Sequence, residues 1–275
     1  MYVLAIGDIV GLPGRRVLAS HLPQLREHLS PDLVIANAEN AHDSGVGITP
    51  AIADELFALG VDVLTNGNHV WDQTEALRLI QRESRMLRPH NDAAGTPGSG
   101  WLVLEANDTQ VGVLNLIGNM YMGVERPCPF AVADKVLRNK PKGLHTVLVD
   151  FHAQAPLEKS ALAWYLDGRV SAVFGTHTHI PTADERVLPG GTAYITDIGM
   201  TGCYDSVVGL QIPQQLKRFV EKVSAGFDPA EGSATLCAVL IDIDAENGKS
   251  RSIRRFALDE MNADNVREVL TKAVA

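Results

Sequence analysis

The triplet His177-Thr178-His179, in the run AVFGTHTHIP, sets two imidazoles two residues apart just past an apolar stretch. Where the backbone turns, such a pair can reach adjacent points of one site. It closes an ordered series: Gly7-Asp8, Glu39-Asn40, Gly67-Asn68-His69 and Phe151-His152 come before it. Each member stands where an apolar strand gives way to a loop, and open α/β sheets bind ligands at such strand ends. Oxygen and nitrogen donors delivered from five strand ends are what a two-metal hydrolytic centre requires.

The individual residues carry this chemistry unequally. Asp8 suits a metal, but a simple N-cap of the following helix explains it as well. The glycines at 7, 11 and 14 do not form the G-x-G-x-x-G dinucleotide fingerprint. Glu39 ends a largely apolar run, where an ionised carboxylate is costly unless paired or metal-bound. Its two oxygens can bridge cations roughly 4 Å apart. The competing reading is a helix cap or surface ion pair, but Asn40 beside it adds a neutral oxygen donor. Gly67 lets the chain turn, Asn68 offers another neutral oxygen, and His69 offers an imidazole, the side chain suited to acid–base work. His69 follows a candidate ligand directly and is the candidate general acid, with Trp71 and Asp72 as residues that orient it. Any one of His152, His177 and His179 alone would read as a core histidine. Three at strand ends, beside Asp8, Glu39 and Asn68, are poorly explained by coincidence. His21, His28, His42, His90 and His145 lie on helix faces or polar loops and receive no role.

The elements that must position these groups follow from periodicity. Residues 2–7, 33–39 and 61–68 read as strands. Helices follow from Pro13, from Thr49-Pro50 (Thr as N-cap, Pro at N1, Gly60 as terminator) and from about Asp72 to Gln81. This alternation predicts parallel pairing with right-handed crossovers. Two apolar runs split by Asn107-Asp108 predict an antiparallel hairpin. Residues 119–142 mix Met, Pro, Gly and aromatics and read as a loop with a short helix, an insertion placed to cover the site. Strands at 146–151 and 172–175 flank a helix at 157–166, AYITDIG and ATLCAVLIDID add strands, and SRSIRRFAL follows a turn at Glu246-Asn247-Gly248. A last helix is expected from about Asp259. Together these predict two stacked sheets flanked by helices.

Composition bounds the rest. Of 275 residues, 45% are hydrophobic and 21% charged, an ordinary globular balance. The segment MYVLAIGDIVG lacks a basic leader, and no apolar run approaches the ~20 residues that span a bilayer. Cys128, Cys203 and Cys237 are scattered, against a disulfide framework or a thiolate zinc site. A cytoplasmic address is expected. The net charge of −9 disfavours long duplex nucleic acid as a partner, since phosphate neutralisation dominates that affinity. It does not disfavour nucleotides, because bound cations invert the local field. Arg15-Arg16 and Arg251 to Arg255 read as a solvated helix end and strand face.

The ordered residues resemble the calcineurin-like metallophosphoesterases, whose pattern runs D-x-H, GD-x-x-D, GNH-E/D, H and GH-x-H. Val10 stands where the first histidine is usual, and Glu39-Asn40 where the bridging Asp is expected. With GDIVG, NAEN, NGNHVWD, FHAQA-x-x-EK, GTHTHIPTADERVLPGGTAYITDIGMTG and YDSVVG, these departures are similar to the YmdB-like subfamily of bacterial phosphodiesterases. The resemblance runs from Asp8 to about Gly209.

It implies a single domain over residues 1–275, a four-layer α/β/β/α sandwich of two mixed sheets flanked by helices. It also implies two metal ions per chain, iron or manganese, with zinc allowed. On this resemblance Asp8, Glu39, Asn40 and His179 hold one metal, and Glu39, Asn68, His152 and His177 the other. Asn40 takes the coordination place Val10 cannot fill, and His69 matches the proton donor. The implied activity is hydrolysis of cyclic nucleotides (2′,3′ or 3′,5′) and related phosphodiesters by a metal-bridging hydroxide. Thr201 to Asp205 and residues 119–131 are candidates to hold the nucleoside, with ordinary structural loops the competing reading. A homo-oligomer is allowed.

Other readings keep the metals but make the protein a phosphomonoesterase or nuclease, or a regulatory protein that binds nucleotide or an RNA-decay partner with weak phosphatase or nuclease activity. An amidohydrolase barrel fits poorly, because its H-x-H leads the chain and too few strands are available here.

Overall fold

A computed structural model describes residues 1–260. Two mixed sheets form the centre. The first has the order β2 (Asp8–Ile9), β11 (Met200–Cys203), β12 (Ala234–Ile243), β1 (Tyr2–Ile6), β3 (Leu33–Asn37), β4 (Val63–Thr65), with β13 (Ser250–Asp259) also paired to β12. The second runs β5 (Trp101–Ala106), β6 (Thr109–Ile117), β7 (Thr146–His152), β8 (Ala172–Thr176), β10 (Ala193–Ile195), β9 (Arg186–Val187). The predicted parallel βαβ units are present as β1–β3–β4, crossed by α1 (Gly11–Leu29) and α2 (Pro50–Ala58). A second set, β6–β7–β8, is crossed by α4 (Pro129–Asn139) and α5 (Pro156–Leu166).

Three apolar layers make this the expected four-layer sandwich. Side chains alternate along a strand, so Leu4 and Val34 face Leu18, Leu22 and Leu56 of the outer helices, while Val3, Ala5 and Ile35 face the other sheet. Leu148 and Phe174 of the second sheet meet them in the middle. Val147, Val149 and Phe151 turn outward onto Ala163 and Leu166 of α5. The same parity places Asp150 and His152 on the inner face of β7, at the junction of the sheets. The site therefore lies where the C-terminal ends of parallel strands from both sheets meet.

Several local expectations hold in detail. Thr49 Oγ1 accepts the N–H of Ile52, Pro50 opens α2, and Gly60 follows it at φ 102°. Asn107 and Asp108 both take positive φ (49° and 59°), the primed turn that suits a two-residue hairpin, and Ala106 pairs with Thr109.

Others shift. The helix expected from Asp72 is α3, Ala76–Arg82, because Asp72 is spent on His69 rather than on a first helical turn. The second and third strands stop at Asn37 and Thr65, which leaves Glu39 and Asn68 on loops. AYITDIG yields one short strand, β10, and a further strand, β11, begins just after it at Met200. The helix expected from about Asp259 lies outside the described residues, apart from Asp259, which ends β13. Arg15 is buried against Ala41 O, Asp43 and Glu55, so it fastens a loop rather than solvating a helix end. Arg251 pairs with Asp242 and Asp244.

Candidate metal centre

His152, the last residue of β7, is the hub. Its Nε2 lies 2.9 Å from Glu39 Oε1, 3.0 Å from His177 Nδ1 and 3.2 Å from Asn68 Oδ1. Its Nδ1 lies 3.0 Å from Thr176 Oγ1 and 3.8 Å from Asp8 Oδ1. The hydroxyl proton of Thr176 goes to Asp150 Oδ1 at 2.7 Å, so Thr176 Oγ1 accepts from His152 Nδ1–H. The neutral ring then presents a lone pair at Nε2 to a carboxylate oxygen, a second imidazole and an amide oxygen. The convergence is satisfied either by a proton on Nε2, donated to Glu39 Oε1, or by a metal cation among the donors. Among the described residues, Glu39, His152 and His177 form the group whose ligand atoms all lie within 4.8 Å of one another. The donor set fits a transition metal of intermediate softness.

The remaining sequence-derived candidates close in around this hub. Asp8, wholly buried at the start of β2, accepts the backbone N–H of His177 on both oxygens at 3.2 Å. Asn40 Oδ1 lies 3.3 Å from His179 Nε2, its orientation set by the amide N–H donated to Gly45 O at 2.8 Å. His179 Nδ1 contacts Val208 O at 2.8 Å, which leaves Nε2 for a ligand. Val10 is buried beside this second group, where it offers no donor.

Charge at the centre follows from burial and close neighbours. Burial lifts Asp8 to about 6, partly countered by His179 and His152. Burial also opposes ionisation of Glu39, but the charge of His152 and hydrogen bonds from His152 and the His69 N–H outweigh it, holding Glu39 at about 2. His177 is pushed down to about 3 by burial and by the charge of His152, so its imidazole stays neutral and ligand-ready. His152 is resisted by burial yet raised by Glu39 and Asp8.

His69 sits on the rim. Its N–H donates to Glu39 Oε2 at 2.9 Å, and its Nδ1 lies 2.8 Å from Asp72 Oδ2. Asp72 is the orienting group, and Nε2 remains as the free ring nitrogen. Trp71 instead packs against the core and donates to Asp92 Oδ2 at 3.4 Å.

Three features escaped the sequence reading. Gly67 is needed for close approach rather than for a turn. A Cβ there would stand 2.1 Å from His152 Cδ2 and 2.5 Å from Glu39 Oε2. Beneath His152, Asp150 is buried and collects hydrogens from Thr65, Thr176 and Asn37. Beneath the His-Thr-His turn, Lys159 Nζ donates to Asp197 Oδ2 at 2.6 Å and to Thr176 O at 2.8 Å. Asp197 in turn accepts the N–H and hydroxyl of Thr178 and the N–H of Gly199. This pair braces a turn that needs bracing, since His177 and His179 adopt φ of 100° and 64°. Lys159 and Asp197 both lie within the motif segments EK and TDIG, but nothing local signals that they meet.

A cavity of about 730 Å³ opens over the centre, lined by Glu39, Asn40, His69, His177 and His179. The rest of its lining includes the apolar side chains Val46, Ile180, Val208, Leu210 and Phe227. The loop candidates for the nucleoside, Thr201 to Asp205 and residues 119–131, contribute no lining residue, and neither does the rest of 119–142. Glu158 ties that insertion down instead, accepting the N–H groups of Asn119 and Met120.

Comparison with known proteins agrees with this geometry. A 2′,3′-cyclic-nucleotide 2′-phosphodiesterase of Bacillus subtilis is 43% identical over 260 residues, covering 94% of this chain and 98% of that protein. The crystal structure of a novel phosphatase from Mycoplasma pneumoniae superposes with a TM-score of 0.89 at 32% identity, over 94% of this chain and 93% of that one. The calcineurin-like phosphoesterase YfkN of Bacillus subtilis, at 10% identity and TM-score 0.54 over 100% of this chain and 97% of its own, shares the fold. The family model for YmdB-like proteins matches residues 4–256. With the Asp8 to His179 candidate donors set at the junction of its two sheets, this chain belongs to the YmdB-like family.

Proposed function

We propose that the protein is a dinuclear metal-dependent phosphodiesterase acting on cyclic nucleotides and related small phosphodiesters. The observation that carries this reading is the convergence of Glu39, Asn68 and His177 on His152 Nε2, beside a second donor group of Asp8, Asn40 and His179. Glu39, beside Asn40 in the chain and 2.9 Å from His152 Nε2, would be the ligand shared between the two groups. Iron or manganese suits these oxygen and nitrogen donors, and zinc is compatible. Two such cations supply Lewis acidity toward phosphoryl oxygens and a nucleophile at neutral pH.

The chain's own residues do the rest. Asp150 and Thr176 hold the His152 tautomer, and Asp8 accepts the His177 N–H and so fixes the turn that carries two ligands. His69, steadied by Asp72, presents Nε2 to the cavity, where it hands a proton to the departing oxygen, a contribution of typically about 10²–10⁴-fold. A cytoplasmic enzyme with small diffusible substrates fits the acidic net charge.

The test is a substrate panel on protein loaded with iron or manganese: bis-p-nitrophenyl phosphate, p-nitrophenyl phosphate, 2′,3′- and 3′,5′-cyclic nucleotides, and RNA. The expected result is preference for the diesters. Preference for the monoester defeats the assignment, and wild-type turnover by Glu39→Gln defeats the ligand set.

A further inference from the structure

We infer that Phe227 is the platform on which the nucleobase of a bound nucleoside phosphate stacks, an inference that rests on the phosphodiesterase reading above. Phe227 lines the same cavity as the ligand histidines, yet its side chain is 52% exposed. A large aromatic ring left half in water at the mouth of a polar site has apolar surface to offer a ligand.

The ring is held for that task. Arg218 Cζ lies 3.7 Å from its centroid, so a guanidinium covers one face and the ring is braced by a cation–π contact. Arg218 is itself fixed, donating from Nη2 to Ala225 O at 2.8 Å. The loop that carries Phe227 is fastened on both sides of it. Gln215 Nε2 donates to Gly226 O at 3.2 Å, and Gln214 Nε2 donates to Asp228 Oδ2 at 2.6 Å while Asp228 N–H donates back to Gln214 Oε1. The loop also packs on the metal side, where a Cβ at Gly45 would meet Pro229 and the carbonyl of Phe227. Gly45 O in turn orients Asn40.

The chemistry of the cavity selects the occupant. The cavity combines donors for cations, and hence for a phosphoryl group, with an aromatic ring and the apolar side chains of Val208 and Leu210. The volume of about 730 Å³ matches pockets for small ligands and admits a mononucleotide. A nucleoside phosphate carries a charged group and a flat heterocycle separated by a sugar, a combination that suits this lining. Stacking is tolerant of base identity because every base presents a π-face, so little discrimination among bases is expected from this contact.

The test uses the metal-loaded full chain and ligands that no phosphoesterase can cleave: the phosphonate analogue of AMP, and methylphosphonate as its base-free counterpart. Dissociation constants from titration calorimetry give a ratio that isolates the nucleoside. Phe227→Ala is expected to shrink the advantage of the AMP phosphonate over methylphosphonate by between about fivefold and about 150-fold, the range for losing one base stack. Phe227→Trp keeps a ring there and should retain that advantage. An unchanged ratio in Phe227→Ala, or equal losses in the alanine and tryptophan variants, overturns the inference. A wild-type protein that cleaves no phosphodiester would defeat the proposed function alone, because the binding ratio still decides what Phe227 does.

Discussion

Lys159→Met removes one half of a buried ion pair while keeping most of the side chain's length. Lys159 and Asp197 are each about 1% exposed, so neither charge has water to fall back on. Losing one partner of such a pair costs about 3–5 kcal/mol, mostly because the other charge is stranded. Asp197 would keep the N–H and hydroxyl of Thr178 and the N–H of Gly199, which points to the lower end, about 3 kcal/mol. At about 2–4 °C per kcal/mol for a large domain, the thermal midpoint should drop by roughly 6–12 °C. The function is touched through geometry. With Thr176 O and Asp197 released from Nζ, the turn bearing His177 and His179 loses its brace, and a supporting-residue loss typically costs about 10–100-fold in metal affinity. Thermal unfolding of chelated and metal-loaded protein reads the first effect, and metal content after dialysis against graded free manganese reads the second. In a double-mutant cycle, adding Asp197→Leu should recover part of the stability but none of the metal affinity. A midpoint shift under about 2 °C, or unfolding loss with wild-type metal retention, refutes the reasoning.

Gly67→Ala forces a methyl to within 2.1 Å of His152 Cδ2, so it should displace the hub and cost about 1–3 kcal/mol as overpacking, with metal content falling at once. Retention of both metals would show that the loop yields instead. His69→Asn should lower turnover of cyclic nucleotides by about 10²–10⁴-fold. It should slow bis-p-nitrophenyl phosphate far less, because that leaving group needs no proton; equal losses on both would remove His69 from its role as acid. In metal-free protein, Glu39 is held at about 2 against an ordinary 4.5. The unfolded chain therefore binds its proton more tightly, and the stability from this carboxylate is present above pH 4.5 and lost as pH falls toward 2. The stability gap between wild type and Glu39→Gln, followed by denaturant unfolding across that range, should accordingly shrink on acidification.

Local sequence determined much of this molecule. Thr49-Pro50 and Gly60 bound one helix, and Asn107-Asp108 set a hairpin, because capping and positive φ are decided within a few residues. That Asp8, Glu39, Asn68, His152, His177 and His179 gather in one place was legible from their positions after apolar runs. Side-chain alternation along β7 even implies that Asp150 and His152 share a face. Which groups meet that face from the other sheet is not written in any local stretch. Lys159 and Asp197, or Thr65 and Asp150, are ordinary residues until two sheets pack and bring them within hydrogen-bonding reach.

The same holds for Gly67, whose missing side chain matters only because His152 and Glu39 arrive opposite it from other strands. One aromatic residue of the cavity lies in the least informative stretch, the tail after residue 225, where Phe227 carries no motif and no periodicity. Residues 119–142, which composition singled out as a cover for the site, line none of the cavity and are tied to Glu158 at Asn119 and Met120. Short-range propensity and periodicity determine which elements form and which way their side chains point. Which strand ends become neighbours is decided by the burial of three apolar layers at once, a sum over the whole chain that no window of sequence contains.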